Sequence, residues 1–389
     1  MTRMVIVGGG ILGTMHAVMA RRRGWTVTHL DRDIEPRSAS VRNFGLVWVS
    51  GRAEGNELQV ALRARDLWAE IASVAPDVGF RPDGSMTVAQ TLEELAVLEQ
   101  VVARDDSTLR GFHLLTPADV RVVNPALRGE LVGALHCTTD AVVEPRLALP
   151  ALRDALASGH QFGADDQNPT GPTPADEHGY RFLGGRTVTE IGPGYVVDHA
   201  NQRHRAEVVV VCPGIERQGP MAELLDAAPV RTVQLQMMQT EPLGERLTTS
   251  LADGDSLRYY PGFRVPALAD LPPQSPVAAH HHMQLLISQR VTGELTVGDT
   301  HAYDEPFDFA TDEAPYDHLR RRAESILGRP LPPVIRRWTG AYSQCTDDSI
   351  CHRRQVALGV WVVTGPGGRG MTLSPAIAEQ TLTEIGSPT

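Results

Sequence analysis

A chain of 389 residues has room for two to three domains at ~150 residues each, and 42% hydrophobic with 21% charged residues excludes collagen, coiled coil and disorder. Lys plus Arg number 36 against 47 Asp plus Glu, a net charge of −11, so neither nucleic acid nor an anionic membrane is an expected partner: both are bound through clustered positive charge. Every basic residue is arginine and none is lysine, which excludes side-chain Schiff bases and the lysines that grip phosphate in phosphate-loop enzymes and kinases.

Met4-Val5-Ile6-Val7 is a fully apolar run of the kind buried on both faces of a parallel sheet. Gly8-Gly9-Gly10-Ile11-Leu12-Gly13 follows, then a helix over 14–23 ended by Gly24, and a strand over 25–30 closed by Asp31. This is a compact βαβ unit. Arg21-Arg22-Arg23 reads as a solvated helix end suited to the negative pole of the helix. Apolar residues at three- and four-residue spacing predict helices over 58–72 and 92–103. Pro82-Asp83-Gly84-Ser85 is a turn before a strand over 86–89, and a helix over 147–157 opens after Glu144-Pro145. Residues 165–179, rich in proline, glycine and polar residues, form a surface loop.

Strands over 187–191, 195–198 and 207–212 come next. The last is nearly all valine and ends in Pro213-Gly214, like a central parallel strand meeting a phosphate or ribose. Residues 230–240 and 285–297 alternate apolar and polar, as half-exposed antiparallel strands do. A proline-rich loop, 261–276, separates them. A helix over 315–327, an apolar run over 356–364, the segment Gly365-Pro366-Gly367-Gly368-Arg369-Gly370 and a helix over 371–385 complete the chain.

Cys137, Cys212, Cys345 and Cys351 form no CxxC pair, so neither structural zinc nor a redox dithiol is expected. Free thiols, the absence of a signal-peptide core after Met1-Thr2-Arg3, and no apolar run near the ~20 residues of a membrane span lead to the expectation of a soluble, cytoplasmic protein. His280-His281-His282 reads as the rim of a strand edge, because consecutive residues point to different faces. No metal site is expected.

Gly8-x-Gly10-x-x-Gly13 between a strand and a helix is the dinucleotide fingerprint in its proper context. Gly8 permits the tight turn, Gly10 lets the backbone approach a pyrophosphate, and Gly13 lets the helix lie close on the strand. Asp31 can accept hydrogen bonds from an adenosine ribose and disfavours the 2′-phosphate of NADP. The fingerprint alone leaves NAD and FAD open.

The other end of the chain separates them. The fingerprint with Asp31, Ala39-Ser40-Val41-Arg42-Asn43-Phe44-Gly45, Asn124-Pro125, Val143-Glu144-Pro145 and, most specifically, Thr364-Gly365-Pro366-Gly367-Gly368-Arg369-Gly370-Met371-Thr372-Leu373-Ser374-Pro375 resemble the D-amino-acid oxidase/glycine oxidase/sarcosine oxidase family of FAD-dependent oxidoreductases over nearly the full length. The resemblance implies an α/β fold: a Rossmann-type FAD-binding domain from 1–85, 145–228 and 335–389, with an inserted antiparallel-sheet (α+β) substrate domain from 86–144 and 229–334. It implies that Ser40, Arg42, Asn43 and Gly45 lie along the flavin and pyrophosphate. Gly367, Gly368, Arg369, Gly370, Met371 and Thr372 would set a helix start against the flavin pyrimidine ring, where negative charge gathers on reduction. Val188 would meet the adenine; Ile11, Leu12, Arg32, Gly214 and Gly365 complete the expected cofactor set. Ser-Val-Arg-Asn-Phe-Gly and Gly-Gly-Arg-Gly-Met-Thr are further similar to a subgroup associated with phosphonate breakdown, whose substrates are aminophosphonates, including N-alkylated ones.

Departures from the family pattern sharpen the expectation. Where the sarcosine-oxidase branch attaches flavin through cysteine, the segment Gly340-Ala341-Tyr342 has glycine, so FAD should be non-covalent; Cys345 is the nearest thiol. That branch's oxygen-activating lysine is missing, whereas the glycine- and D-amino-acid-oxidase branches work without it, so O2 remains the expected acceptor. The arginine with which those branches bind a substrate carboxylate aligns with Tyr342. Arg258, Tyr259, Tyr260, Arg337 and Arg369 are the remaining candidates to meet substrate, since arginine's fork suits a carboxylate or phosphonate; Asp299 and His301 can also line the pocket. The expected reaction is hydride transfer from the amine-bearing carbon of a small anionic amine to flavin N5. The imine then hydrolyses to an aldehyde or keto compound, and O2 reoxidises the flavin to give hydrogen peroxide. The runner-up readings are a general D-amino-acid, glycine or sarcosine oxidase and a flavin dehydrogenase with another acceptor. The oligomeric state is open.

Overall fold

The computed structural model describes residues 1–160, 162 and 179–386. Two sheets organise the molecule. The first has six strands in the order His352–Ala357, Val360–Thr364, Val208–Val211, Arg3–Val7, Thr26–Leu30 and Tyr180–Leu183; the pairings are parallel apart from the hairpin His352–Ala357/Val360–Thr364. Its central strands are apolar throughout because both faces are covered. Met4, Ile6, Val208, Val210 and Val363 pack against the helices Ile11–Arg22, Asn56–Val74 and Gly370–Gly386. Val5, Val7, Val209, Val211 and Val362 face the three-stranded sheet of Val188–Gly192, Tyr195–Asp198 and Arg203–Arg205. Each such side chain stabilises the fold by roughly 1.5–3 kcal/mol on burial.

The second sheet has eight strands, in the order Val334–Cys345, Val230–Pro242, Glu294–Gly298, Leu286–Gln289, Ser250–Ala252, Ser85–Ala89, Gly133–Cys137 and Phe112–Leu115. It is antiparallel except where Ser250–Ala252 runs parallel to Ser85–Ala89. Alternation sorts its side chains. Leu235, Met237 and Leu286 join Phe44, Leu46 and Trp48 on one face, while Met238, Ile287 and Val297 pack with Tyr316, Leu319 and Ala323 of the helix Glu313–Leu327 on the other. The strand Val334–Cys345 pairs along its length with Val230–Pro242, so a segment grouped by sequence with the nucleotide unit joins the second sheet instead.

Other local expectations are also corrected. Residues 285–297 are not one strand: Arg290–Gly293 closes a hairpin, with the Gly293 N–H on the Arg290 carbonyl at 2.9 Å. Residues 356–364 likewise turn at Gly359. The proline-rich stretch coils into the short helices Pro261–Phe263, Pro266–Asp270 and Pro276–His280, each with proline in its first turn, where a missing N–H costs nothing. His280 ends the last of them, so the three histidines rim a helix end and not a strand edge. Among the described residues no cluster could hold a metal ion. Arg21, Arg22 and Arg23 are not simply solvated; they bond the Trp25 carbonyl, Glu70 and the Leu382 carbonyl respectively. The loop expected at 165–179 lies outside the described residues except for Gly179. No described helix is long and apolar enough to cross a membrane.

Candidate active site

Where the parallel strands end, the chain opens onto a cavity of about 1060 Å³ that extends to the second sheet, at the upper end of the ~300–1,000 Å³ typical of small-molecule sites. The strand Arg3–Val7 runs into Gly8, whose φ is +109° and where a Cβ would lie 2.2 Å from the Cys212 carbonyl oxygen. Only glycine fits there. A Cβ on Gly13 would lie 1.9 Å from the Gly8 oxygen, so the helix Ile11–Arg22 rests directly on the turn. That helix starts at Gly10 without a side-chain cap. Its first turn, Ile11, Leu12 and Gly13, lines the cavity and presents a partial positive charge. The Ile11 N–H is held by Ser40 Oγ at 2.9 Å.

Asp31 fastens the same turn. Its carboxylate accepts the Gly9 N–H and, through Oδ1, the Asp33 N–H at 2.7 Å. Arg32 beside it is ion-paired with Glu216. Asn43 closes the neighbouring loop, donating to the Ala39 and Ser40 carbonyls and accepting the Gly45 N–H at 2.7 Å, while Arg42 donates to the Thr339 carbonyl at 2.8 Å. From the far end of the chain, Gly367–Arg369 and the start of the helix Gly370–Gly386 reach the cavity. Thr372 Oγ1 ties that start to residues 46–48: it donates to the Leu46 carbonyl at 3.1 Å and accepts the Trp48 N–H at 2.9 Å.

The cavity gathers most of the residues singled out from sequence: Gly8, Gly10, Asp31, Arg32, Ser40, Arg42, Asn43, Val188 and Gly214, then Gly367 through Thr372, and Arg258, Tyr259, Tyr260 and Tyr342. Three are not among its lining residues. Gly45 packs under the Val143 carbonyl, Gly365 packs on Cys345, and Arg337 pairs with Glu313 at 3.1 Å and lies over the Tyr316 ring. Arg337 points to the helix Glu313–Leu327 because it shares a sheet face with its pairing partner Met238. Arg369 lines the cavity, but its guanidinium bonds Glu57 and the carbonyls of Pro366, Ser349 and Ile350. It braces the loop.

At the end nearest the second sheet the wall is aromatic and polar. Tyr259 stacks on His301 with ring centres 4.5 Å apart, and Tyr260 lies 5.9 Å from Trp48. Asp299 and His301 are both buried and line the cavity. Gln284 Nε2 donates to the Tyr260 hydroxyl at 3.2 Å and to Asp299 Oδ1 at 3.4 Å. Burial pushes the Tyr259, Tyr260 and Tyr342 hydroxyls well above the ordinary phenol range and raises Asp299. Sequence reasoning misses Trp48, Arg52, Gln284 and Arg264. Arg52 is committed to Glu57 and the Trp48 carbonyl, and Arg258 to the Pro272 carbonyl. Arg264 is different: exposed at the cavity wall, it is the one lining arginine whose guanidinium has no protein partner among the described residues. The signal in the sequence is its place four residues after Tyr260, across the short helix Pro261–Phe263.

The donors present suit a flavin dinucleotide. An uncapped helix start beside a glycine turn suits a pyrophosphate, and a second helix start lies at the same cavity. The Trp48 indole N–H is buried without a partner among the described residues.

Comparison with known proteins agrees with that reading. The sequence model of the family described as FAD dependent oxidoreductase (DAO) matches residues 3–165 and 173–383. A subunit of the opine oxidase of Rhizobium meliloti is 28% identical over 233 residues, 54% of this chain and 60% of that protein; the chain thus spans less than two thirds of that relative. Glycine oxidase from Geobacillus kaustophilus superposes with a TM-score of 0.74 at 17% identity, covering 99% of this chain and 95% of that one. Iminodiacetate oxidase from Chelativorans sp. BNC1 does so with a TM-score of 0.72 at 17% identity, covering 100% and 96%. At that identity the two structures establish the fold.

Proposed function

Because the chain belongs to the DAO family of FAD dependent oxidoreductases, we propose that it oxidises a carbon–nitrogen bond of a small amine carrying an acidic group, an aminophosphonate ahead of an amino acid. FAD is the cofactor, and when bound it supplies the acceptor for the hydride that leaves the amine-bearing carbon. In this reading the unit built on the six-stranded sheet holds the dinucleotide and the unit built on the eight-stranded sheet meets the substrate. Gly8–Gly13 and Ser40 would hold the pyrophosphate, Asp31 the ribose, Val188 the adenine, and the start of the helix Gly370–Gly386 the flavin ring. Attachment is non-covalent. Gly340 offers no thiol, and burial raises the Cys345 thiol to about 11, so little of the nucleophilic thiolate forms at neutral pH.

The observation that carries the substrate class is the Arg264 guanidinium, which has no protein partner among the described residues and lines the same cavity as Tyr259 and Tyr260. A guanidinium and phenol hydroxyls lining one cavity are groups that suit a multi-oxygen anion. With Tyr342 where the relatives' carboxylate-binding arginine stands, this anchor falls at a different place. The chain's own residues then orient the amine-bearing carbon and exclude water, Tyr259, Tyr260 and Trp48 forming the apolar part of the wall. The names of relatives support an amine substrate: glycine oxidase, iminodiacetate oxidase and opine oxidase are each named for the oxidation of a nitrogen compound.

The test is anaerobic bleaching of the flavin by 2-aminoethylphosphonate and its N-methyl form against glycine, sarcosine and D-alanine, followed by peroxide release when air is admitted. Bleaching by either phosphonate at the lowest concentration supports the proposal. Bleaching by the carboxylates alone returns the protein to general amino-acid oxidation, and absence of peroxide on reoxidation makes it a dehydrogenase.

A further inference from the structure

The carboxylate of Asp299 is 4% exposed, lines the cavity, and has no arginine partner among the described residues. A buried carboxylate without a cation is costly, and folded proteins pair such groups. Its neighbours are few. Gln284 Nε2 reaches Oδ1 at 3.4 Å, and His301 Nε2 stands 3.8 Å from Oδ2. The other titratable groups facing it are the phenols of Tyr259, Tyr260, Tyr303 and Tyr342, all raised by burial and therefore uncharged.

The tautomer of His301 follows from its other nitrogen. Nδ1 lies 3.0 Å from the His282 carbonyl oxygen, which can only accept, so Nδ1 carries a proton. Nε2 is thereby the ring nitrogen turned toward the carboxylate. Stacking on Tyr259 at 4.5 Å fixes the plane of the ring.

We propose that Asp299 is the group that pairs with the substrate's ammonium and takes its proton, with His301 and Gln284 as positioning residues. This rests on the amine reading above. An amine is charged at neutral pH and has no lone pair to assist loss of hydride from the neighbouring carbon. Transfer breaks one N–H bond of R–NH3⁺ and forms one O–H bond on Asp299, leaving R–NH2 and a neutral acid; no electrons change hands. Arg264 and Asp299 line the same cavity, which thus offers one cationic and one anionic group for the two charges of a zwitterion.

The experiment is anaerobic flavin reduction across pH in the FAD-loaded protein, using the amines of the panel above, in wild type, Asp299→Asn, Asp299→Glu and Gln284→Leu. FAD content and circular dichroism check the fold of each. Asp299→Asn should reduce the flavin about 10²- to 10⁴-fold more slowly at neutral pH, the usual worth of a positioned proton acceptor. The deficit should close as pH rises toward the pKa of the amine itself, when the free base is available from solution. Asp299→Glu should recover part of the rate. Gln284→Leu removes a donor that favours the charged carboxylate, so the acid limb of the profile should move to higher pH. It keeps the proposal testable should the aspartate variants lose FAD. An Asp299→Asn profile identical to wild type overturns the assignment and leaves the amine reading intact. No reduction of the wild type by any amine overturns both.

Discussion

Around Gly8, Gly10 and Gly13 the cavity wall is main chain, set by a φ of +109° and by contacts no side chain could share; around Asp299 it is side chain, contributed by Tyr259 and Tyr260 at the end of the helix Asp255–Tyr259, by Gln284, by His301 and by the strand Val334–Cys345. The first wall offers N–H groups and a helix start, which recognise a charge and a shape common to many ligands. The second offers a carboxylate, phenols and a guanidinium without a protein partner among the described residues. Cofactor and substrate recognition are thus carried by different chemical groups within one cavity.

The harshest break of this division is Gly8→Val. With a Cβ 2.2 Å from the Cys212 carbonyl oxygen and a backbone angle that branched residues avoid, the variant should purify without flavin; a yellow protein of normal FAD content would mean that the main-chain wall is not what holds the dinucleotide. Arg264→Ala tests the other wall. It should lower kcat/KM for an anionic amine by roughly 30- to 150-fold, ~2–3 kcal/mol for a lost charged hydrogen bond, with FAD content unchanged. An equal loss for an amine without an acidic group would show that Arg264 is no anion anchor.

Asp31→Ala should weaken FAD binding by about 1.5–3 kcal/mol, measured as the Kd of the apoprotein, since the carboxylate fastens the Gly9 N–H and would meet the ribose. Wild-type affinity would remove that role. The smallest change per step comes from pH. His29 and His16 are buried in the nucleotide unit and pushed down by desolvation to about 3 and about 4. Below pH 6.5 the unfolded chain takes up protons that the folded chain refuses, so stability falls as pH falls, by about 1.4 kcal/mol per unit for each histidine until the folded values are reached. Urea melts from pH 7 to 5 should show this loss, and a double His16→Asn, His29→Asn variant should flatten it. A wild-type profile flat over that range would mean that these rings are not neutral.

The division also explains what is legible in the chain. Apolar–polar alternation is absent from residues 4–7 and 208–211 because both faces are covered, and such an apolar run followed by glycines can be read directly. Tyr259, Tyr260, Asp299 and His301 can be nominated but not assembled, because the end of the helix Asp255–Tyr259 and the residues after the strand Glu294–Gly298 meet only in the fold. Arg337 is misplaced for the same reason: strand register, which sequence does not display, turns it toward Tyr316. Arg264 escapes notice because an arginine in a proline-rich loop looks solvated until its neighbours are known to leave it unpaired. The hairpins at Gly293 and Gly359 merge into single strands, since one glycine within an apolar stretch resembles a bulge as much as a turn.

The order of strands in the first sheet has a consequence for biosynthesis. Arg3–Val7 is flanked by Val208–Val211, which is flanked in turn by Val360–Thr364, and the helix Gly370–Gly386 packs between Ile11–Arg22 and Asn56–Val74. A growing chain therefore exposes the fingerprint turn early and waits, with its central strand unpartnered on one side, for most of its length to be translated. Pairings this distant in sequence close slowly, and an exposed apolar strand is the kind of surface that aggregates or is held by chaperones in the interval. Nascent chains arrested before residue 360 should accordingly be sensitive to protease and unable to retain FAD, and competence should arrive in a single late step when residues 360–386 leave the ribosome.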